Sequence, residues 1–202
     1  MNKWGHLMLD TVTTVSEMTA IGLGLEPTAF VDRSKMGPHL LAPTGSDLTK
    51  YPSLGTVFAG FHYDLNFFTI HGKSRYPGLY AWTREGKRIA VRVPDGCLLV
   101  QAGKQIEWLT GGKIQAGFHE VVVNESTLKA AEAAKSKGRP LWRISSTLFF
   151  HIASDRLLEP LGHFANEETL SKYPPTLAGD YVSSEYLLSG SHNLHIFSGP
   201  YC

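Results

Sequence analysis

Hydrophobic positions along the chain follow two different periods. Near the N-terminus Met8, Val12, Val15 and Met18 recur at spacings of four, three and three. That is the stripe of an amphipathic helix, and Gly22 and Gly24 stop it. A second short helix is expected after Glu26-Pro27, because proline is tolerated in a helix's first turn. From Gly37 onward the pattern shortens. HLLAP, TVFAGFHYD, NFFTIHG, GLYAWTR, RIAVRV, CLLVQAG, FHEVVV and LWRISSTLFFHI are short runs rich in β-branched and aromatic residues. Between them lie the turn-forming clusters PTGSD, YPSLG, GKSRYPG, REGK and VPDG, and REGK between two strand-like runs predicts a hairpin.

Many short strands at close spacing predict an all-β sandwich, barrel or jelly roll. Two interruptions read as helices: GKQIEWL, and the Ala/Lys-rich insert ESTLKAAEAAKSKG. After residue 155 the chain turns irregular, and SKYPPTLAGDYV leads into a short final helix. No stretch has the composition of a linker. The expected organisation is therefore one unit over 1–202, mainly β: a helical lead-in (1–36), a β core (37–155) and a helical and irregular C-terminal cap (156–202).

Within this pattern FHYDLNFFTI stands out, since it sets His62 and Asp64 two apart inside an apolar run. Burying a carboxylate without a partner is costly. Three arrangements satisfy the pair: a His–Asp hydrogen bond, a solvent-facing strand end, or two ligands of a metal ion. Residues two apart in a strand project to one side. A two-histidine, one-carboxylate face with open positions suits non-haem Fe(II), and His119, at the head of the run HEVVV, is the candidate third ligand. Arg143 and Ser145 repeat the same spacing in WRISSTLFFHI, a strand that carries no acidic residue. A buried guanidinium needs an anion and pairs with a carboxylate bidentately. Either a distant acidic side chain or the carboxylate of a ligand could supply it, and the company of His62, Asp64 and His119 favours the ligand.

These residues and their order resemble the isopenicillin N synthase-like family of Fe(II)- and 2-oxoglutarate-dependent oxygenases. HYD is followed by PGLYAWTREGKRIAVRVPDGCLLVQAGKQIEWLTGG, then FHEVV, then RIS. The likeness runs from about GPHLLAP to LAGDYV. It implies a double-stranded β-helix (jelly roll), with Fe(II) held by His62, Asp64 and His119. It further implies that Arg143 and Ser145 bind the far carboxylate of 2-oxoglutarate. The implied reaction consumes O2 and the co-substrate, releases succinate and CO2, and hydroxylates, desaturates or cyclises a small organic molecule. An oxidase of the same fold that uses no 2-oxoglutarate, and an inactive jelly-roll binding domain, are the alternatives. The chain departs from the family pattern in four ways. The His119–Arg143 interval is lengthened by the Ala/Lys-rich insert, the HLLAP strand carries no tyrosine, Lys104 stands where the family usually has an acidic residue after the glycine of the short helix, and the family's N-terminal region, which supplies outer strands and part of the substrate pocket, is expected to be missing.

Composition narrows the partners. With 19 Lys+Arg against 18 Asp+Glu, bulk charge points to neither nucleic acid nor an acidic membrane surface. No apolar run reaches a bilayer's span, and MNKWGHLMLD lacks a signal peptide's core. Two cysteines, Cys97 and Cys202, make neither a disulfide framework nor a thiolate metal site and fit a reducing, cytoplasmic setting. Of the remaining candidates, Asn66 is expected to face substrate or hydrogen-bond a ligand residue, and His151, in register with Arg143, to line the cavity or fill the core. His71 is expected in a loop, Tyr63 away from the metal, Trp108 and Phe118 in the core, and His192 and His195 in a solvated tail.

Overall fold

Eight short strands form two antiparallel sheets, and the strands Val57–His62, His119–Val122 and Trp142–Phe150, with the turn after the first of them, hold the chemistry-bearing residues. The structure, a computed structural model, describes residues 2–192 and side chains through residue 188. His195, Cys202 and the side chain of His192 therefore lie outside the described residues. The elements in order are α1 (Asn2–Gly22), α2 (Val31–Ser34), β1 (Leu40–Asp47), β2 (Val57–His62), β3 (Phe68–His71), β4 (Leu79–Trp82), β5 (Arg88–Ala90) and β6 (Leu99–Ala102). They continue with α3 (Lys104–Leu109), β7 (His119–Val122), α4 (Glu125–Lys135), β8 (Trp142–Phe150) and β9 (Leu157–Leu158). A 3-10 turn at Gly162–Phe164, α5 (Glu167–Lys172), β10 (Thr176–Leu177) and α6 (Ala178–His192) complete the cap.

One sheet has the order β1-β8-β3-β6 and the facing one β2-β7-β4-β5, while β9 and β10 form a separate ribbon. This is the jelly roll expected from the strand pattern. The REGK hairpin forms as predicted, with Tyr80 opposite Ala90 and Trp82 opposite Arg88. The first sheet is apolar on its outer face. Phe68, Ile70, Leu148 and Phe150 pack there against Met8 and Val12 of α1 in the main core, which also takes in Ile106, Leu109, Leu158 and Tyr181. Its inner face is polar: Thr69 lies opposite Gln101 on β6, and His71 lies opposite Thr147 on β8. A second, smaller core under α4 contains Leu48, Tyr76, Val123 and Ala134.

Several expectations need correcting. PTGSD is not a turn: β1 runs through it, with Pro43 opposite Ser146 and Asp47 opposite Trp142. Because β1 is a sheet edge, the missing proline N–H costs no ladder bond. Helix α1 buries Met8, Val12, Ser16 and Ala20, a strict four-residue stripe, and leaves Met18 66% exposed. The second helix starts only at Val31, after a turn over 27–30. His71 closes β3 instead of sitting in a loop. Phe118 is 37% exposed and stacks on Phe61 on the outside of the second sheet. Helix α4 carries the chain from the second sheet to the first, its start fixed by a reciprocal Asn124–Thr127 capping box.

Candidate metal centre

His62 is the last residue of β2, so Asp64 is not in a strand at all. It sits in the turn that crosses to β3, and the start of α3 holds that turn. The backbone N–H groups of Gly103, Lys104 and Gln105 donate to the carbonyls of Phe67 (3.0 Å), Asp64 (2.8 Å) and Asn66 (3.1 Å). The approach is so close that a Cβ on Gly103 would lie 2.1 Å from the Asn66 carbonyl oxygen. Only glycine fits there.

His119, at the start of β7, lies directly opposite His62, and the two rings are 4.2 Å apart. Asp64 Oδ1 is 3.7 Å from His62 Nε2 and 3.9 Å from His119 Nε2. The three ligand atoms all lie within 4.8 Å of one another. Both histidines use Nδ1 on a backbone carbonyl, His62 on Gly60 (2.6 Å) and His119 on Gly117 (3.1 Å). Those bonds fix each proton on Nδ1 and leave each Nε2 lone pair facing Asp64. Burial holds the His119 pKa below the ordinary histidine value, with the Asp64 carboxylate opposing the shift. A neutral imidazole is the form that ligates a cation. Asp64, 8% exposed, accepts on Oδ2 from the Thr69 hydroxyl at 2.5 Å. Asn66, 2% exposed, donates to that hydroxyl (3.1 Å) and to the Phe68 carbonyl (2.7 Å). It reaches Asp64 only through Thr69 and is turned away from open space. Two neutral nitrogens and one carboxylate oxygen converging on a point, with no cationic side chain among them, are a donor set that fits Fe(II).

The Arg143 side chain is buried, with 8% of the residue exposed, and its Nε has no hydrogen-bond partner. No carboxylate among the described residues forms a salt bridge with it. Burial pulls its pKa below the ordinary guanidinium value. Arg143, Ser145 and His71 line one cavity of about 610 Å³, together with Lys73, Arg75, Arg92 and Glu125. An unpaired buried guanidinium opening into a cavity where cations outnumber the one carboxylate is a cradle for an anion. The His62–Asp64–His119 cluster lines neither this cavity nor the one of about 570 Å³ beside Trp4. His151 lies just past the end of β8, and its backbone N–H donates to His39 Nδ1 at 3.1 Å. It does not line the Arg143 cavity. Tyr63 packs edge-on against Phe118, with Lys104 Nζ over its ring.

Sequence reasoning missed three polar residues of the inner face, Thr69, Gln101 and Thr147, and placed a fourth, His71, in a loop. His71 is held by Gln101 (Nε2 to Nε2, 3.0 Å) and Thr147 (Oγ1 to Nδ1, 3.1 Å). Burial lowers its pKa to about 4, against a smaller opposing pull from Asp64. The signal was available in the period of two that joins Thr69 to His71, and Arg143 to Ser145 and Thr147.

The family model of the 2OG-Fe(II) oxygenase superfamily matches residues 41–152. Flavonol synthase/flavanone 3-hydroxylase of Petunia hybrida is 24% identical over 194 residues, covering 89% of this chain and 48% of that protein. Azadirone synthase LFS of Melia azedarach is 22% identical, covering 92% and 54%. The chain thus spans about half the length of the curated relatives it matches. Among solved structures, a full-length Neurospora crassa protein in complex with alpha-KG superposes with a TM-score of 0.74 at 19% identity, over 93% of this chain and 56% of the other. A putative 2OG-Fe(II) oxygenase family protein from Caulobacter crescentus gives 0.74 at 24% identity, over 92% and 57%. With a family match that runs from β1 to just past β8 and takes in His62, Asp64, His119, Arg143 and Ser145, the chain belongs to the 2OG-Fe(II) oxygenase superfamily.

Proposed function

We propose that the chain is the catalytic region of an Fe(II)- and 2-oxoglutarate-dependent oxygenase acting on a small organic molecule. The observation that carries this is the pairing of a convergent His62–Asp64–His119 cluster with an unpaired buried Arg143 on the same polar interior. Iron(II), when bound, supplies open coordination positions at which a 2-oxo acid chelates and O2 is activated. The protein's own residues do the positioning. His62 and His119 present fixed Nε2 lone pairs, and Thr69 orients Asp64. Arg143 with Ser145 takes the distal carboxylate of 2-oxoglutarate. The apolar packing behind the first sheet keeps bulk water from the far side of that face. Hydroxylation, desaturation and ring closure are all open to such a centre. An oxidase of the same fold that uses no 2-oxoglutarate would need its own substrate to bring an anion to the buried Arg143, whereas 2-oxoglutarate brings one whatever the substrate, which favours the co-substrate. Membership of the isopenicillin N synthase-like branch, a cytoplasmic setting and a single functional unit over 1–202 complete the reading. The order of motifs, the two lone cysteines and the shared main core support it. Among the described residues no helix is long and apolar enough to cross a membrane.

The test is anaerobic addition of Fe(II) and 2-oxoglutarate, followed by the weak visible metal-to-ligand charge-transfer band. The wild type should develop the band, and His62→Ala, Asp64→Ala and His119→Ala should not. Arg143→Leu should keep iron while losing co-substrate affinity. Iron binding by the wild type without any band on adding 2-oxoglutarate would overturn the co-substrate assignment. Absence of iron binding would leave an inactive jelly-roll domain.

A further inference from the structure

Two of the three metal ligands are held from behind by one buried side chain outside the cluster. Glu107, on α3, is 8% exposed. Its Oε1 accepts from Lys104 Nζ (2.9 Å) and from the Tyr173 hydroxyl (3.2 Å), and its Oε2 accepts from the Ala116 backbone N–H (2.8 Å). The Lys104 pair is an ordinary contact along one helix face. The bond to Ala116 reaches instead into the segment that leads to His119, which has no regular structure over residues 115–118. The Gly117 carbonyl in that segment takes the His119 Nδ1 proton and so sets the ring's direction. Glycine restrains its own backbone least of all residues, and a Cβ at Gly117 would meet nothing within 4 Å. The carbonyl is therefore held through its neighbours. Ala116 N–H is bonded to Glu107, Gly117 N–H to the Ala102 carbonyl (3.1 Å), and the Phe118 carbonyl to Trp82 N–H (3.0 Å). Glu107 is the one side chain among those three partners. On the other ligand's side, Lys104 gives its backbone N–H to the Asp64 carbonyl (2.8 Å) and its ammonium to Glu107.

We propose that Glu107 is a positioning residue for the metal centre: by tying Ala116 to the start of α3, it sets where His119 stands relative to Asp64. The direction of each bond that matters is fixed by chemistry, since a backbone N–H and an ammonium can only donate and a carboxylate only accepts. A pair with Lys104 alone would satisfy Glu107 as part of the helix. The second oxygen is what reaches across to the His119 segment, and it makes a charge-assisted bond there, stronger than a neutral one. Without it, the upstream end of the Gly117 hinge would be free to turn, and the His119 ring would follow its acceptor. This inference rests on the cluster being a metal centre and is independent of which co-substrate binds.

The experiment titrates the metal-free protein with Mn(II) and records the d–d absorption of its Co(II) form, which reports the ligand set. Glu107→Leu should raise the Mn(II) Kd about 10–100-fold, the usual effect of losing an outer partner of a metal ligand. Its Co(II) spectrum should move from that of wild type towards that of His119→Ala, a change that a loss of stability alone would not produce. Glu107→Gln should bind within a few-fold of wild type, because its oxygen can stay on Ala116 while its NH2 turns to the Tyr173 oxygen. Glutamine carries no charge, so this rescue separates the clamp from simple attraction between a carboxylate and a cation. Lys104→Met leaves the Ala116 bond intact and should also keep wild-type affinity. Amide exchange on the metal-free wild type should show a protected Ala116 N–H, a readout that stands even if the leucine variant folds poorly. The role of Glu107 is overturned by wild-type affinity and spectrum in Glu107→Leu, by a glutamine variant as weak as leucine, by equal weakening in Lys104→Met, or by a freely exchanging Ala116 amide. A wild type that binds neither Mn(II) nor Co(II), with its Ala116 amide protected, would instead remove the metal reading itself, and this inference with it.

Discussion

Replacing Thr69 by valine removes one hydroxyl and little volume, so its consequence for the metal cluster can be stated in numbers. Thr69 is fully buried and its hydroxyl donates to Asp64 Oδ2 at 2.5 Å. Valine fills the same space and opens no cavity. A hydrogen bond to a charged acceptor contributes about 1.5–3 kcal/mol, which corresponds to roughly a 10- to 150-fold change in an equilibrium constant. Loss of an outer partner of a metal ligand typically weakens metal binding by about 10–100-fold, so the two routes to the magnitude agree. Asn66 keeps its bond to the Phe68 carbonyl and loses only its contact with the hydroxyl, so the turn itself should survive. Anaerobic titration with Fe(II), or with Mn(II) as a redox-stable substitute, should show Thr69→Val weakened by one to two orders of magnitude, at about wild-type fold content by circular dichroism. Thr69→Ser keeps the donor and should bind within a few-fold of wild type. A valine variant with wild-type metal affinity would show that Asp64 is oriented by its backbone alone. Equal losses in valine and serine would assign the effect to the methyl group's packing.

Gly103→Ala places a Cβ 2.1 Å from the Asn66 carbonyl oxygen, a backbone atom. Urea unfolding should therefore show a loss of at least about 2 kcal/mol, in the range of overpacked sites, and metal titration should show loss of the cluster that this turn supports. Burial depresses both His71 and His151 to about 4. Between about pH 6.5 and 4 the unfolded chain binds a proton at each site that the folded chain refuses. Stability that is fully present above 6.5 should thus fall on acidification, by about 3 kcal/mol per histidine. Denaturation of the metal-free protein across this range should show the fall, and His71→Gln should remove one share of it. On α1, Met8→Ala should cost about 2–5 kcal/mol, whereas Met18→Ala, at a residue 66% exposed, should stay within about 0.5 kcal/mol. A thermal or chemical melt of the pair tests which stripe of the helix is buried.

The residues that alternate with period two were readable, because a strand displays its faces directly in the sequence. His62 with Asp64 and Arg143 with Ser145 announced themselves as polar marks in apolar runs. What the pattern could not show is that Asp64 has already left the strand. Its placement comes from three backbone bonds to the start of α3, about forty residues later in the sequence, and only the glycine at 103 hints at them. PTGSD misled because proline and glycine mark turns in general but are admitted on a sheet edge, and edge position is a property of the whole sheet. Helix α1 ends at Gly22 as expected, but its buried stripe was only half read: counting large apolar side chains selected Met18, while the stripe continues from Met8 and Val12 through the small Ser16 and Ala20. Helices α4 and α5 both begin with an Asn-x-x-Thr capping box. The first was visible from its alanines and lysines, the second too short for any composition to reveal.

The two faces of the first sheet divide the work between stability and chemistry. On the outer face, Phe68, Ile70, Leu148 and Phe150 bury against α1 and the helices of the cap, and apolar burial there is the principal source of stability. The inner face can therefore afford polarity. It carries Thr69, His71, Gln101, Arg143, Ser145 and Thr147, and each buried donor or acceptor among them costs folding energy unless it is paired. Nearly all are paired with one another, which rigidifies the face. The exception is Arg143 Nε, one of only two buried side-chain polar atoms among the described residues with no partner. A network so thoroughly satisfied elsewhere makes that single gap informative. Selection for stability alone would have closed it with a nearby carboxylate or an apolar side chain of similar volume. Its persistence beside Ser145 in the wall of the cavity locates the requirement in a ligand, and an anion with acceptor oxygens can take the guanidinium and the Ser145 hydroxyl together.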